Sequence, residues 1–67
     1  MIEIQLNGAP HPIAEGTTLA ELVEQLGHAG RRVALEVNRE IVPKSQHAKR
    51  PLAAGDRVEL VHALGGG

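Results

Sequence analysis

Sixty-seven residues leave room for one small domain and no second core. The chain has no Cys, Phe, Trp or Tyr, which excludes a disulfide framework, a thiolate metal site and base stacking on aromatic side chains; the core must be built from Ile, Leu, Val and Ala. A net charge of −1 at pH 7 gives no general attraction to nucleic acid or an anionic membrane, and no apolar run approaches a membrane span, so a cytoplasmic protein, monomeric when free, is expected.

Ile2, Ile4 and Leu6 alternate with Glu3 and Gln5, the period of a strand with one buried face. Asn7-Gly8 follows, a strong signal for a two-residue hairpin turn. Such a turn sets Leu6 against Ala9, Ile4 against His11 and Ile2 against Ile13. Pro10 and Pro12 then fall in the non-hydrogen-bonded pairs, a placement that suits only a sheet edge. Gly16-Thr17-Thr18 breaks the strand. Thr18 and Glu21 form a capping-box pair ahead of Leu19, Leu22, Val23 and Leu26, the apolar stripe of a helix. Gly27 suits the left-handed position that ends it. Val33, Leu35 and Val37 alternate in a third strand, and Asn38-Arg39 turns into a short strand from Glu40 to Val42. The stretch from Pro43 to Ala54 reads as polar and irregular. Gly55-Asp56 is a further turn, and Val58, Leu60 and Val61 lie in a last strand that runs toward a glycine-ended tail.

This order is α+β, with a helix on one face of a mixed sheet. The most compact solution places the last strand in the centre, parallel to the first, which makes a β-grasp, or ubiquitin-like, roll. Residues 1–64 are expected to form this domain and residues 65–67 a flexible tail. The core should depend on Leu22, Leu26, Leu35 and Leu60. By alternation Val58 and Leu60 face the core, whereas Glu59, Val61 and Ala63 face the other way. With Leu64 at the base of the tail, these outward residues form a candidate docking strip. The four histidines, His11, His28, His47 and His62, fit no metal spacing, and His11 and His62 read as polar residues at sheet margins. Lys44, Lys49 and Arg50 read as a solvated loop, with steering of an acidic partner as the alternative. No side-chain arrangement for catalysis can be argued.

Several segments together resemble one family: the opening strand into Leu6-Asn7-Gly8, Thr18-Leu19-Ala20-Glu21-Leu22, Val37-Asn38-Arg39-Glu40-Ile41-Val42-Pro43, Gly55-Asp56-Arg57-Val58-Glu59-Leu60-Val61, and the glycine end. The chain is similar over its whole length to the ThiS family, the small sulfur carriers of thiamin thiazole biosynthesis. It differs in having three terminal glycines where two would suffice. The resemblance implies a carrier, not an enzyme. The Gly67 carboxylate would be adenylated by an E1-like enzyme that uses ATP, the carrier itself binding no cofactor. A sulfur donor protein would convert the adenylate to a thiocarboxylate, and thiazole synthase would accept the sulfur. Gly65 and Gly66 would let the tail enter a narrow slot, because they have no Cβ and adopt backbone angles that other residues resist.

Two other functions share the fold, and fold alone does not decide among them. One is a carrier for another pathway, such as the small subunit of molybdopterin synthase. That family usually has a longer segment between its first strands and aromatic residues near its first strand and tail, both missing here. The other is a ubiquitin-like tag or interaction module whose tail is conjugated to a lysine or idle.

Overall fold

The computed structural model describes residues 1–27 and 33–62. Along the chain run β1 (Ile2–Leu6), β2 (Ala9–Ile13), α1 (Leu19–Gln25), β3 (Val33–Val37), β4 (Glu40–Val42), α2 (Lys44–His47) and β5 (Arg57–His62). The strands form one sheet in the order β2-β1-β5-β3-β4. β1 and β5 are parallel, and the other neighbours are antiparallel. This is the β-grasp arrangement expected from the sequence, with the last strand at the centre and the proline-bearing strand at an edge.

The hairpin register is the expected one, with Leu6 opposite Ala9, Ile4 opposite His11 and Ile2 opposite Ile13. Asn7 (φ 50°) and Gly8 (φ 83°) both sit at positive φ. Their twist matches that of the flanking strands, which is why a two-residue turn closes here. Helix α1 starts at Thr18, whose Oγ1 accepts from the Glu21 N–H at 3.2 Å while the Glu21 carboxylate accepts from the Thr18 N–H at 3.0 Å. The box satisfies two donors that a helix start would leave free. Leu19, Leu22 and Val23 are buried along one face. Gly27 (φ 79°) ends the helix, donating to the Glu24 carbonyl at 3.0 Å.

The core gathers Ile4, Ile13, Leu19, Leu22, Leu35, Val37, Val42, Leu52 and Val58 between sheet and helix. Of the four leucines expected to carry it, Leu22 and Leu35 have no exposed surface, whereas Leu26 and Leu60 are only partly buried at its margin. The stretch from Pro43 to Ala54 corrects the expectation of an irregular polar loop. It contains α2, buries the His47 ring and sends Leu52 into the core. His47 Nε2 lies 2.9 Å from the Val42 carbonyl oxygen, to which it donates. The backbone then runs beside the start of α1: Leu19 N–H donates to the Arg50 carbonyl at 3.1 Å, and Leu52 N–H donates to the Thr17 carbonyl at 2.8 Å. A buried segment of this kind needs such partners for its amides.

Candidate partner-docking face

Strand alternation gives the sheet one face against α1 and one open face. Glu3, Gln5, Ala34, Ile41, Glu59 and Val61 all fall on the open face and are exposed. Val61 is 59% exposed and Ile41 76%, the most exposed large hydrophobic side chains among the described residues after Met1. Two members of the expected docking strip, Glu59 and Val61, are therefore placed facing outward on the central strand. Ala63 and Leu64, like Gly65, Gly66 and Gly67, lie outside the described residues.

The register adds detail that alternation alone does not supply. Ala34 lies opposite Val61, and Glu36 lies opposite both Glu59 on β5 and Ile41 on β4. A row Ile41–Glu36–Glu59 thus crosses three strands, with the apolar pair Ala34–Val61 beside it. Like charges directly opposite on neighbouring strands destabilise a sheet. The Glu36–Glu59 pair is consequently a place where a cation from a partner would relieve repulsion, with apolar surface next to it to bury.

The strand that carries the strip is fixed from both sides. β3 pairs with β5 over its whole length, from Val37 opposite Val58 to Val33 opposite His62. β1 ends at Leu6, and beyond that point the Asn7 side chain takes over. Its Oδ1 accepts from the Leu60 N–H at 2.9 Å, and its Nδ2 lies 3.4 Å from the Leu60 carbonyl oxygen. At the other end of β5, Asn38 Oδ1 accepts from the Arg57 N–H at 3.0 Å and Asn38 Nδ2 donates to Asp56 Oδ1 at 3.2 Å. Asp56 Oδ2 in turn accepts from the Ala53 N–H at 2.9 Å. The roles of Glu36, Asn7 and Asn38 were not read from sequence. Asparagine signals the turns, but its reach to β5 follows only once β5 is known to be the neighbour.

Of the histidines, His47 is buried on the Val42 carbonyl and His11 sits half-buried on edge strand β2. Among the described residues no three His, Cys, Asp or Glu side chains gather as a metal site would require. Lys44 and Lys49 are exposed and Arg50 half-buried. No helix among the described residues is long and apolar enough to cross a membrane.

Known proteins bear on this architecture directly. The ThiS family model matches residues 4–67. The chain belongs to the ThiS family. It is 41% identical over 64 residues to the sulfur carrier protein ThiS of Thermus thermophilus, covering 96% of this chain and 98% of that one. The crystal structure of the thiamine biosynthesis protein ThiS from Geobacter metallireducens superposes with a TM-score of 0.84 at 29% identity, covering 98% of this chain and all of that one. A thiazole synthase of Magnetococcus marinus is 41% identical over 66 residues, but there the chain spans only 20% of the longer protein's length. ThiS-like sequence thus occurs both as a stand-alone carrier and as one part of a larger polypeptide.

Proposed function

We propose that this protein is the sulfur carrier of thiamin thiazole formation and that its reacting atom is the carboxyl carbon of Gly67. The observation that carries the proposal is end-to-end correspondence with a ThiS sulfur carrier, in sequence over 98% of that protein and in fold over the whole of another ThiS chain. The thiazole synthase of Magnetococcus marinus supports the partner, because one polypeptide there holds a ThiS-like region together with the part that gives the protein its name.

The chemistry asks little of the carrier's side chains. A carboxylate resists nucleophiles because it is negatively charged and has no good leaving group. An E1-like enzyme would join the Gly67 carboxylate to AMP, releasing pyrophosphate from ATP. A persulfide sulfur on a donor protein would then attack the acyl carbon and expel AMP. Cleavage of the resulting S–S bond by a thiol leaves a thiocarboxylate, which thiazole synthase would accept as its sulfur source. The carrier is a co-substrate in each step and binds no cofactor of its own. Glu59 and Val61 on the open face, continued by Ala63 and Leu64, would dock the partners in the cytoplasm. Gly65 and Gly66 would thread the tail to the reacting centre.

Intact mass spectrometry of the protein from its native cell tests this chemistry. The expected species carries one sulfur in place of one oxygen, localised by fragmentation to Gly67. Deleting Gly66 and Gly67 should leave the melting temperature unchanged and abolish ATP–pyrophosphate exchange with the adenylating enzyme. The shortened end falls roughly 7 Å short of the full reach, and errors of about 1 Å already cost on the order of a hundredfold in rate. Adenylation of the deletion variant at the parent rate would exclude Gly67 as the reacting residue.

A further inference from the structure

The sheet's two outer strands are built differently. On β2, the residues whose amides point away from β1 are Pro10 and Pro12, opposite Gln5 and Glu3. Proline has no N–H, so neither position offers a donor to an incoming strand. On β4, the two-residue turn at Asn38-Arg39 makes Val37–Glu40 and Leu35–Val42 the hydrogen-bonded pairs of the hairpin. Ile41, opposite Glu36, therefore directs both its N–H and its carbonyl outward. One edge is closed by chemistry and the other is open.

Beside the open edge lies a groove of about 350 Å³, lined by β4 together with Pro43, Gln46, Lys49, Arg50 and Pro51. Its far wall is held in place before any partner arrives. The Arg50 carbonyl accepts from Leu19 N–H, Lys49 N–H donates to the Gln46 carbonyl at 3.0 Å, and Pro51 bridges to Thr18. The lining carries two cations, Lys49 and Arg50, and one acid, Glu40.

We infer that the β4 edge and its groove take an extended acidic segment of a partner protein by strand addition. The segment's backbone pairs with the Ile41 N–H and carbonyl, and its carboxylates meet Lys49 and Arg50. Charge selects this occupant, since the lining's two cations outnumber its one acid. A second copy of the chain fits less well. It would offer a three-residue strand with one acid, Glu40, and bury far less than the roughly 1,200–2,000 Å² of a stable interface. Few backbone bonds make the contact weak and reversible, as a protein that must leave one partner for the next requires. The site uses no residue beyond Pro51, and so none of the tail that carries the proposed chemistry at Gly67.

The test titrates the full-length protein, labelled with ¹⁵N, with two synthetic peptides: acetyl-Glu-Val-Glu-Val-Glu-amide and its counterpart with Lys in place of Glu. The acidic peptide should shift the amide signals of Ile41, Val42, Gln46, Lys49 and Arg50, and the basic peptide should not. Ile41→Pro, which copies the proline device of β2, should abolish the shifts. The Lys49→Glu/Arg50→Glu double variant should weaken binding about tenfold, the scale of two exposed ion contacts. If Ile41→Pro fails to fold, the charge reversal alone decides, because both side chains reach the surface. Equal binding of the basic peptide, shifts centred on β2 or on Val61, or no shifts at millimolar peptide would overturn the proposal. Shifts at β4 that depend on protein concentration without peptide would assign the edge to a second copy and overturn it equally.

Discussion

Glu59→Lys separates the stability of the sheet from the use of its open face. Glu36 and Glu59 are paired directly across β3 and β5, which places their carboxylates about 6 Å apart. At that distance two unit charges repel by about 0.7 kcal/mol in a water-like dielectric, and screening at physiological salt reduces this by about half. Replacing Glu59 with Lys removes the repulsion and supplies an attraction of similar size, so the variant should gain about 1 kcal/mol. For a domain of this size that corresponds to a rise of roughly 4–8 °C in melting temperature. The same change puts a cation where a basic partner surface is expected, so the carrier concentration for half-maximal ATP–pyrophosphate exchange should increase. Thermal unfolding by circular dichroism at low salt and near 1 M salt isolates the cause. The gain should largely vanish at high salt, where the screening length is about 3 Å. A melting temperature that falls, or a gain indifferent to salt, would refute the electrostatic account of this face.

Three other substitutions examine how the fold is held. Leu35→Ala, at a side chain with no exposed surface, should cost about 2–5 kcal/mol, which is comparable to the roughly 3–5 kcal/mol a domain this small holds; loss of a cooperative thermal transition is expected. Leu60→Ala, at the core margin, should cost less and leave a folded protein with a lowered transition. Asn7→Gly keeps a residue suited to φ 50° and removes only the side-chain bonds to Leu60. It should cost about 1 kcal/mol and raise amide hydrogen exchange at Leu60 more than at Leu35.

The parts of the fold legible in the sequence are those with a local cause. Asn7-Gly8 set the hairpin register, the Thr18–Glu21 box set the start of α1, and Pro10 and Pro12 identified an edge before any neighbour was known. Placing β5 at the centre followed, because β1 needed a second partner and β5 alternates its apolar residues. What escaped was held by distant contacts. Lys44–His47 is one turn of helix, too short to show a period. His47 is buried by a bond to a carbonyl five residues earlier, and Leu52 is a lone apolar residue whose burial depends on pairing beside Thr17. Glu36 illustrates the same limit within the candidate site. Alternation turns both Glu36 and Glu59 outward, but only the β3–β5 register makes them a pair.

On the proposed function, the sheet order also suits β5 to precede a reacting end. A tail leaving an edge strand would move with the fraying of that edge. β5 lies between β1 and β3, and its pairing continues to His62 opposite Val33. Where β1 stops, Asn7 continues the lateral support at Leu60. The described part of β5 is thus held to its last residue by pairing with β3. Beyond His62 five residues reach at most about 18 Å when extended, so chain length would bound the distance from the proposed docking face to the proposed reacting carbon. On the proposed function, docking through Glu59 and Val61 and delivery of Gly67 would therefore be coupled, because the tail follows β5 in the chain. A change in the docking face should then alter how often the end arrives, and a change in tail length whether it can react once there.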